Sequence, residues 1–116
     1  MKVAGTRHSF NDIADTPGIQ ISLEAFTDIT VDEEGAPLVT FGAGVTFTTL
    51  IEALRAEQFA LPNLPSLPHL NVVGAVVTGT HGGGIAKQAV ASYVTAMRLV
   101  DPNGEIKVIT RETEDF

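Results

Sequence analysis

The sequence predicts an α+β chain, a mixed or mostly antiparallel sheet with flanking helices. Three features predict it. Two pairs of apolar runs each flank a turn-rich loop, and one capped amphipathic segment stands between the pairs.

Lys2-Val3-Ala4 reads as a short strand that runs into a polar loop, Gly5 to Asp12. Ile19-Gln20-Ile21-Ser22-Leu23 alternates apolar and polar residues, the pattern of a half-buried strand. Asp28 to Val31 and Leu38 to Phe41 flank Asp32-Glu33-Glu34-Gly35-Ala36-Pro37 and predict a hairpin. Thr46 then stands as an N-cap before Phe47, Leu50, Ile51 and Leu54, which recur at helical spacing. That helix should end near Gln58. Three prolines within Leu61 to Leu70 exclude helix there. Val72 to His81 mixes small apolar residues with Gly74 and Gly79, and Gly82-Gly83-Gly84 follows. Ala89 to Tyr93 predicts a short helix. Val94 to Val100 and Ile106 to Ile109 form a second hairpin around Asp101-Pro102-Asn103-Gly104, a strong turn signal.

Composition bounds the function. With 44% apolar and 18% charged residues in 116, the chain can form about one packed domain and is not a disordered one. The net charge of −7 excludes a nucleic-acid binder, since a row of phosphates would meet repulsion. The absence of cysteine excludes disulfides and thiol chemistry. No apolar run approaches the roughly 20 residues of a membrane span, and Met1 to Gly5 holds no apolar signal core. A cytoplasmic location is the expectation. Met1 directly precedes a dense motif, and Thr110 to Phe116 reads as the start of a helix. Residues 1–116 are therefore expected to be part of a longer protein.

Three stretches are richer in glycine and small polar residues than a bland core needs: Gly5-Thr6-Arg7-His8-Ser9, Ser66 to Asn71, and Gly74 to Gly84. Backbone N–H groups exposed in such turns can hold an anion, so even an acidic protein can grip a phosphate this way. One such stretch would read as a tight turn; three in so short a chain point to a cofactor. Other fingerprints fail. Gly42-Ala43-Gly44-Val45-Thr46-Phe47 has Phe47 where a dinucleotide fold needs its third glycine. His81-Gly82-Gly83-Gly84 has no serine elbow to serve as an oxyanion loop. His8, His69 and His81 are too scattered, with no recurring carboxylate, to suggest a metal site.

Gly5-Thr6-Arg7-His8-Ser9-Phe10-Asn11-Asp12-Ile13-Ala14-Asp15-Thr16, Leu67-Pro68-His69 and Thr78-Gly79-Thr80-His81-Gly82 occur in that order. Together they resemble the PCMH-type FAD-binding domain of the alditol and xylitol oxidases. These belong to the vanillyl-alcohol-oxidase superfamily, and the aldonolactone oxidases are close relatives. The match spans nearly the whole chain.

The resemblance implies that residues 1–116 form a partial FAD-binding domain. Its substrate domain would lie C-terminal, so these residues alone would not turn over. Val3, Ala4, Gly5, Thr6, Arg7, His8 and Ser9 would wrap the FAD pyrophosphate, with His8 the covalent ligand of the flavin 8α-methyl. Ser66, Asn71, Gly74, Thr78, Gly79, Thr80 and His81 would line the same cofactor. Two positions depart from the family: Asn71 replaces a common small hydroxyl residue, and Gly83 a common serine. Imidazole suits the covalent role because its free base is available near neutral pH. Arg7 would either disfavour the charged imidazole or pair with a phosphate. Ser9 is open between a phosphate contact and a plain turn residue. His69, after Pro68, reads as structural. The implied reaction passes a hydride from an alcohol carbon of a polyol or sugar to flavin N5, and dioxygen then leaves as hydrogen peroxide. The alternatives are an aldonolactone oxidase or dehydrogenase, or a binding module that kept the fold without the flavin.

Overall fold

The computed structural model describes residues 1–113. Its elements in order are β1 (Lys2–Ala4), β2 (Gln20–Ser22), β3 (Ile29–Asp32), β4 (Leu38–Phe41), α1 (Phe47–Ala56), α2 (Val72–Val77), a 3-10 turn (Val90–Tyr93), β5 (Ala96–Val100) and β6 (Ile106–Thr110). Helices and antiparallel ladders coexist, as α+β requires. Among the described residues, however, the strands form three separate two-stranded ladders, not one sheet.

β3 and β4 pair antiparallel with Ile29 opposite Phe41, and β5 and β6 with Ala96 opposite Thr110. Both are the hairpins read from the turn residues. Asp101 begins the second turn and fixes it: its Oδ1 accepts from the N–H groups of Asn103 (2.8 Å) and Glu105 (3.0 Å). β1 and β2 instead pair parallel, Lys2 opposite Gln20, so the loop from Gly5 to Ile19 is a crossover and not a hairpin.

Helix α1 follows the expected design. Thr46 caps it through Thr49 N–H, and Phe47, Leu50 and Leu54 form its buried stripe. It ends in a Schellman motif. Gln58 takes φ 62°, its N–H bonds Arg55 C=O, and Phe59 N–H bonds Leu54 C=O.

The structure adds one helix and corrects one expectation. Val72–Val77 forms helix α2, which buries Val72 and Ala75 against the core. Its end is a second Schellman motif: Gly79 N–H bonds Val76 C=O, and Thr80 N–H bonds Ala75 C=O. At the C-terminus, Thr110 closes β6 and Thr113 N–H turns back to Thr110 C=O at 2.8 Å, so Thr110 to Thr113 is strand end and turn, not helix. The rest of that expected helix, 114–116, lies outside the described residues. The expected helix at Ala89 to Tyr93 is the 3-10 turn.

The core is Val45, Phe47, Leu50, Leu54, Val72, Ala75 and Val90, flanked by half-buried Ile29, Val31, Val39 and Phe41 of the first hairpin. It sits between α1, α2 and that hairpin. Gly42 and Gly44 are explained here. A Cβ on Gly44 would stand 2.0 Å from Leu23 C=O, and one on Gly42 2.4 Å from Phe26 C=O. These glycines let β4 exit against the Leu23–Thr27 loop. No helix among the described residues is long and apolar enough to cross a membrane.

Candidate functional site

The segment from Leu61 to Asn71 joins the other two glycine-rich stretches. At its start, a Cβ on Gly82 would meet Leu64 C=O at 2.1 Å, and Asn63 Nδ2 donates to Gln88 C=O at 2.8 Å. The His81–Gln88 loop therefore lies flat on Asn63 and Leu64. At its end, Asn71 N–H donates to Thr6 Oγ1 at 3.2 Å, and a Cβ on Gly5 would stand 3.1 Å from Asn71 Cβ. The first loop is thus pinned to the base of α2.

Asn71 is the joint. It is 4% exposed, and its side chain works wholly inside the protein. Oδ1 accepts from Gly74 N–H at 2.9 Å and caps α2, while Nδ2 donates to Ala43 C=O at 2.8 Å and to Val45 C=O at 3.3 Å. Both amide hydrogens are spent on backbone carbonyls. Asn71 therefore ties three segments together: the β4 exit, α2 and the Gly5–Thr6 loop.

Most of the other expected residues are surface residues of these loops. Ala4 is buried beneath the first loop, whereas Val3, Gly5, Thr6, Arg7, His8 and Ser9 are exposed. Arg7 holds φ 58°, a left-handed backbone that costs a non-glycine residue about 1–2 kcal/mol. Its guanidinium donates to Gln20 Oε1 at 3.2 Å, across to β2. Ala4, Gly5, Thr6 and Arg7 with Gln20, Ser22 and Glu24 line an open groove of about 280 Å³, in which Arg7 is the cation and Glu24 the carboxylate.

Ser66 is exposed on the joining segment, and Gly74 lies half-buried in the first turn of α2. Thr78 follows α2 and bonds Gly74 C=O at 3.0 Å through its hydroxyl, and Thr78 and Thr80 hydroxyls lie 3.3 Å apart. His81 Nδ1 faces Gly82 C=O at 3.1 Å. Gly79 is left-handed, φ 67°, with no protein atom within 4 Å of a Cβ. Its conformation answers to the end of α2, and the space above it is open.

Six residues at 1.5 Å each place the two ends of α2 about 9 Å apart. Thr6 and Asn71 lie at one end and Thr78 to His81 at the other. The exposed groups, Thr6 at one end and Thr78, Gly79 and His81 at the other, are thus spread along an elongated span.

Sequence reasoning missed one pairing. The His8 imidazole meets His69 edge-on, ring centroids 5.3 Å apart and planes at 84°, and also meets Phe10 at 6.1 Å. The only clue to it was that both histidines sit in motifs of one family.

A larger groove of about 420 Å³ lies between β3 and α1, lined by Ile29, Val31, Ala53, Ala56, Glu33 and Glu57. It holds no expected residue, and its two carboxylates would repel phosphate.

These features fit a flavin dinucleotide. The space over Gly79 is open, and the loop from Gly5 to Ser9, with left-handed Arg7 and the imidazole of His8, is exposed. Comparison with known proteins agrees. A family model described as FAD binding domain matches residues 1–110. The chain is 40% identical over 99 residues to an alditol oxidase of a Streptomyces species, covering 84% of this chain and 24% of that protein. It is 28% identical over 116 residues to an L-gulono-1,4-lactone dehydrogenase of Mycobacterium tuberculosis, covering 100% of this chain and 27% of that one. It is also 32% identical over 106 residues to the mouse L-gulonolactone oxidase, covering 91% and 24%. The chain spans about a quarter of the length of these relatives. By this match over residues 1–110, the chain belongs to the FAD binding domain family.

Proposed function

We propose that this chain is the PCMH-type flavin cradle of an oxidoreductase that oxidises CH–OH groups of polyols or sugars, with dioxygen as the acceptor and hydrogen peroxide as product. The observation that carries the choice of substrate class is the 40% identity to an alditol oxidase. The aldonolactone enzymes among the relatives favour a second reading, in which the ring alcohol of a lactone is the substrate.

When bound, FAD supplies the two-electron acceptor, and the protein supplies position. The exposed residues Gly5 to Ser9, shaped by left-handed Arg7, would hold the pyrophosphate through backbone N–H groups, with Val3 and buried Ala4 in the strand that carries them, and the Arg7 guanidinium adds one positive charge. Thr78, Gly79, Thr80 and His81 follow the cofactor along the end of α2, and Ser66 lies on the segment between. Asn71 and Gly74 serve by holding the loops in register. His8 would be the residue that bonds the flavin 8α-methyl through a ring nitrogen, since its side chain is exposed. The link keeps the cofactor in place between turnovers.

The test is oxygen uptake by the complete protein with two panels, linear polyols and aldonolactones. Peroxide formed stoichiometrically with oxygen consumed, on polyols first, is expected. Uptake on lactones alone selects the second reading. Flavin that no compound of either panel reduces overturns both.

A further inference from the structure

We propose that His69 is a positioning residue for His8: its imidazole holds the His8 ring edge-on at the angle needed to bond the flavin. The inference rests on the proposed role of His8 and deepens it.

The mount of His69 is rigid on both sides. Helix α1 begins with N–H groups that have no partner inside the helix. Thr48 N–H takes Pro68 C=O at 2.7 Å, with Thr48 Oγ1 on the same carbonyl at 2.9 Å, and Phe47 N–H takes Leu70 C=O at 3.0 Å. The peptide group before His69 and the one after Leu70 are thus held by the first turn of α1, whose Phe47 is fully buried. Pro68 fixes one further backbone angle. Among the described residues His8 has no such mount: it is exposed and follows left-handed Arg7. Its loop is tied to the His69 segment two residues before it, where Thr6 Oγ1 accepts from Asn71 N–H.

A free side chain in a loop samples several rotamers, and only some aim a ring nitrogen at the flavin. An edge-to-face partner 5.3 Å away restricts that choice. In forming the link, His8 gives up its N–H proton and gains a C–N bond to the 8α-methyl carbon, which loses one proton. The electron pair passes through the ring to dioxygen, which takes both protons and leaves as hydrogen peroxide. The rate of such a step depends steeply on orientation, and a misplacement of about 1 Å can cost roughly 100-fold.

The experiment uses the complete protein, made as apoprotein in a riboflavin-starved host and then incubated with FAD in air. Acid precipitation at timed intervals gives the rate of covalent attachment. Rapid filtration gives total bound FAD, and a thermal melt monitors the fold. His69→Ala should slow attachment roughly 10- to 100-fold, with total FAD and melting temperature close to wild type. His69→Phe restores an edge-to-face ring without a nitrogen and should return the rate to within about threefold. Attachment at the wild-type rate in His69→Ala overturns the proposal. So does a His69→Phe variant as slow as His69→Ala, or a loss of total FAD and melting temperature in step with the rate. His8→Ala separates the two readings: covalent FAD on that variant removes His8 as the ligand, whatever His69 does.

Discussion

Asn71→Ala should loosen helix α2 and with it the contact between the two loops at its base. The perturbation removes one helix cap and both side-chain donors. Loss of an asparagine cap costs about 1 kcal/mol. Val45 C=O keeps a partner, because Val72 N–H also reaches it at 3.0 Å. Ala43 C=O loses Nδ2, and a covered carbonyl left without its donor costs about 1–3 kcal/mol. The sum is about 2–4 kcal/mol. At about 1.4 kcal/mol per factor of ten, the amides of Ala75 and Val76 should exchange with deuterium roughly 30- to 700-fold faster in the complete protein. Asn71→Ser can still cap α2 but cannot reach both carbonyls, so it should lie about 1 kcal/mol nearer wild type. Exchange within about threefold of wild type would refute the reasoning. So would loss of FAD with exchange unchanged, since the side chain would then serve the ligand and not the fold.

Two matched glycines separate cofactor from backbone. Gly79 and Gly104 are both left-handed, φ 67° and 84°, with open space where a Cβ would go. Alanine at either should cost about 1–2 kcal/mol of stability, but in a His8→Ala background only Gly79→Ala should weaken FAD binding, read by titration of flavin fluorescence; equal affinities would remove Gly79 from the cradle. Gly44→Ala should fail on its own account, because its methyl would stand 2.0 Å from Leu23 C=O, and melts with and without FAD should show the same loss. Asp101 is held below the usual carboxylate range by the N–H of Glu105 first, then by Lys107 and the Asn103 N–H. A lowered folded pKa means its stabilisation is present above about pH 3.9 and is lost as pH falls through the folded value. Asp101→Asn should therefore flatten the fall in melting temperature on acidification below about pH 4, and an unchanged slope would contradict the assignment.

Where the signal was local, it could be read from the chain. Thr46 before an apolar 3.6-residue period marked α1, and Asp101-Pro102-Asn103-Gly104 marked the second hairpin, because each pattern completes its own hydrogen bonds nearby. Helix α2 escaped. Four valines and a glycine in six residues disfavour helix, and burial of Val72 and Ala75 against α1 and Val90 overrides that preference. A cap at Asn71 followed by buried positions three apart was the available clue. The parallel pairing of β1 with β2 depends on a crossover that no turn residue announces. In the site, the glycine-rich stretches were legible as composition, and His8 stood out only through the motif it shares with a family. The roles of Asn71 as joint and of His69 as neighbour of His8 were not, since both arise from contacts between distant parts of the chain. Gly79 carried a mixed signal: the helix end alone explains its conformation.

The central claim is that these residues cradle FAD and bond it through His8. It is tested most directly by the visible spectrum of the complete protein before and after acid precipitation, with tryptic mass spectrometry of the pellet. The account predicts flavin absorbance that remains in the pellet and an FAD-bearing peptide containing His8, with His8→Ala releasing its flavin to the supernatant. A protein purified without flavin, or an adduct mapped to any other residue, would contradict it.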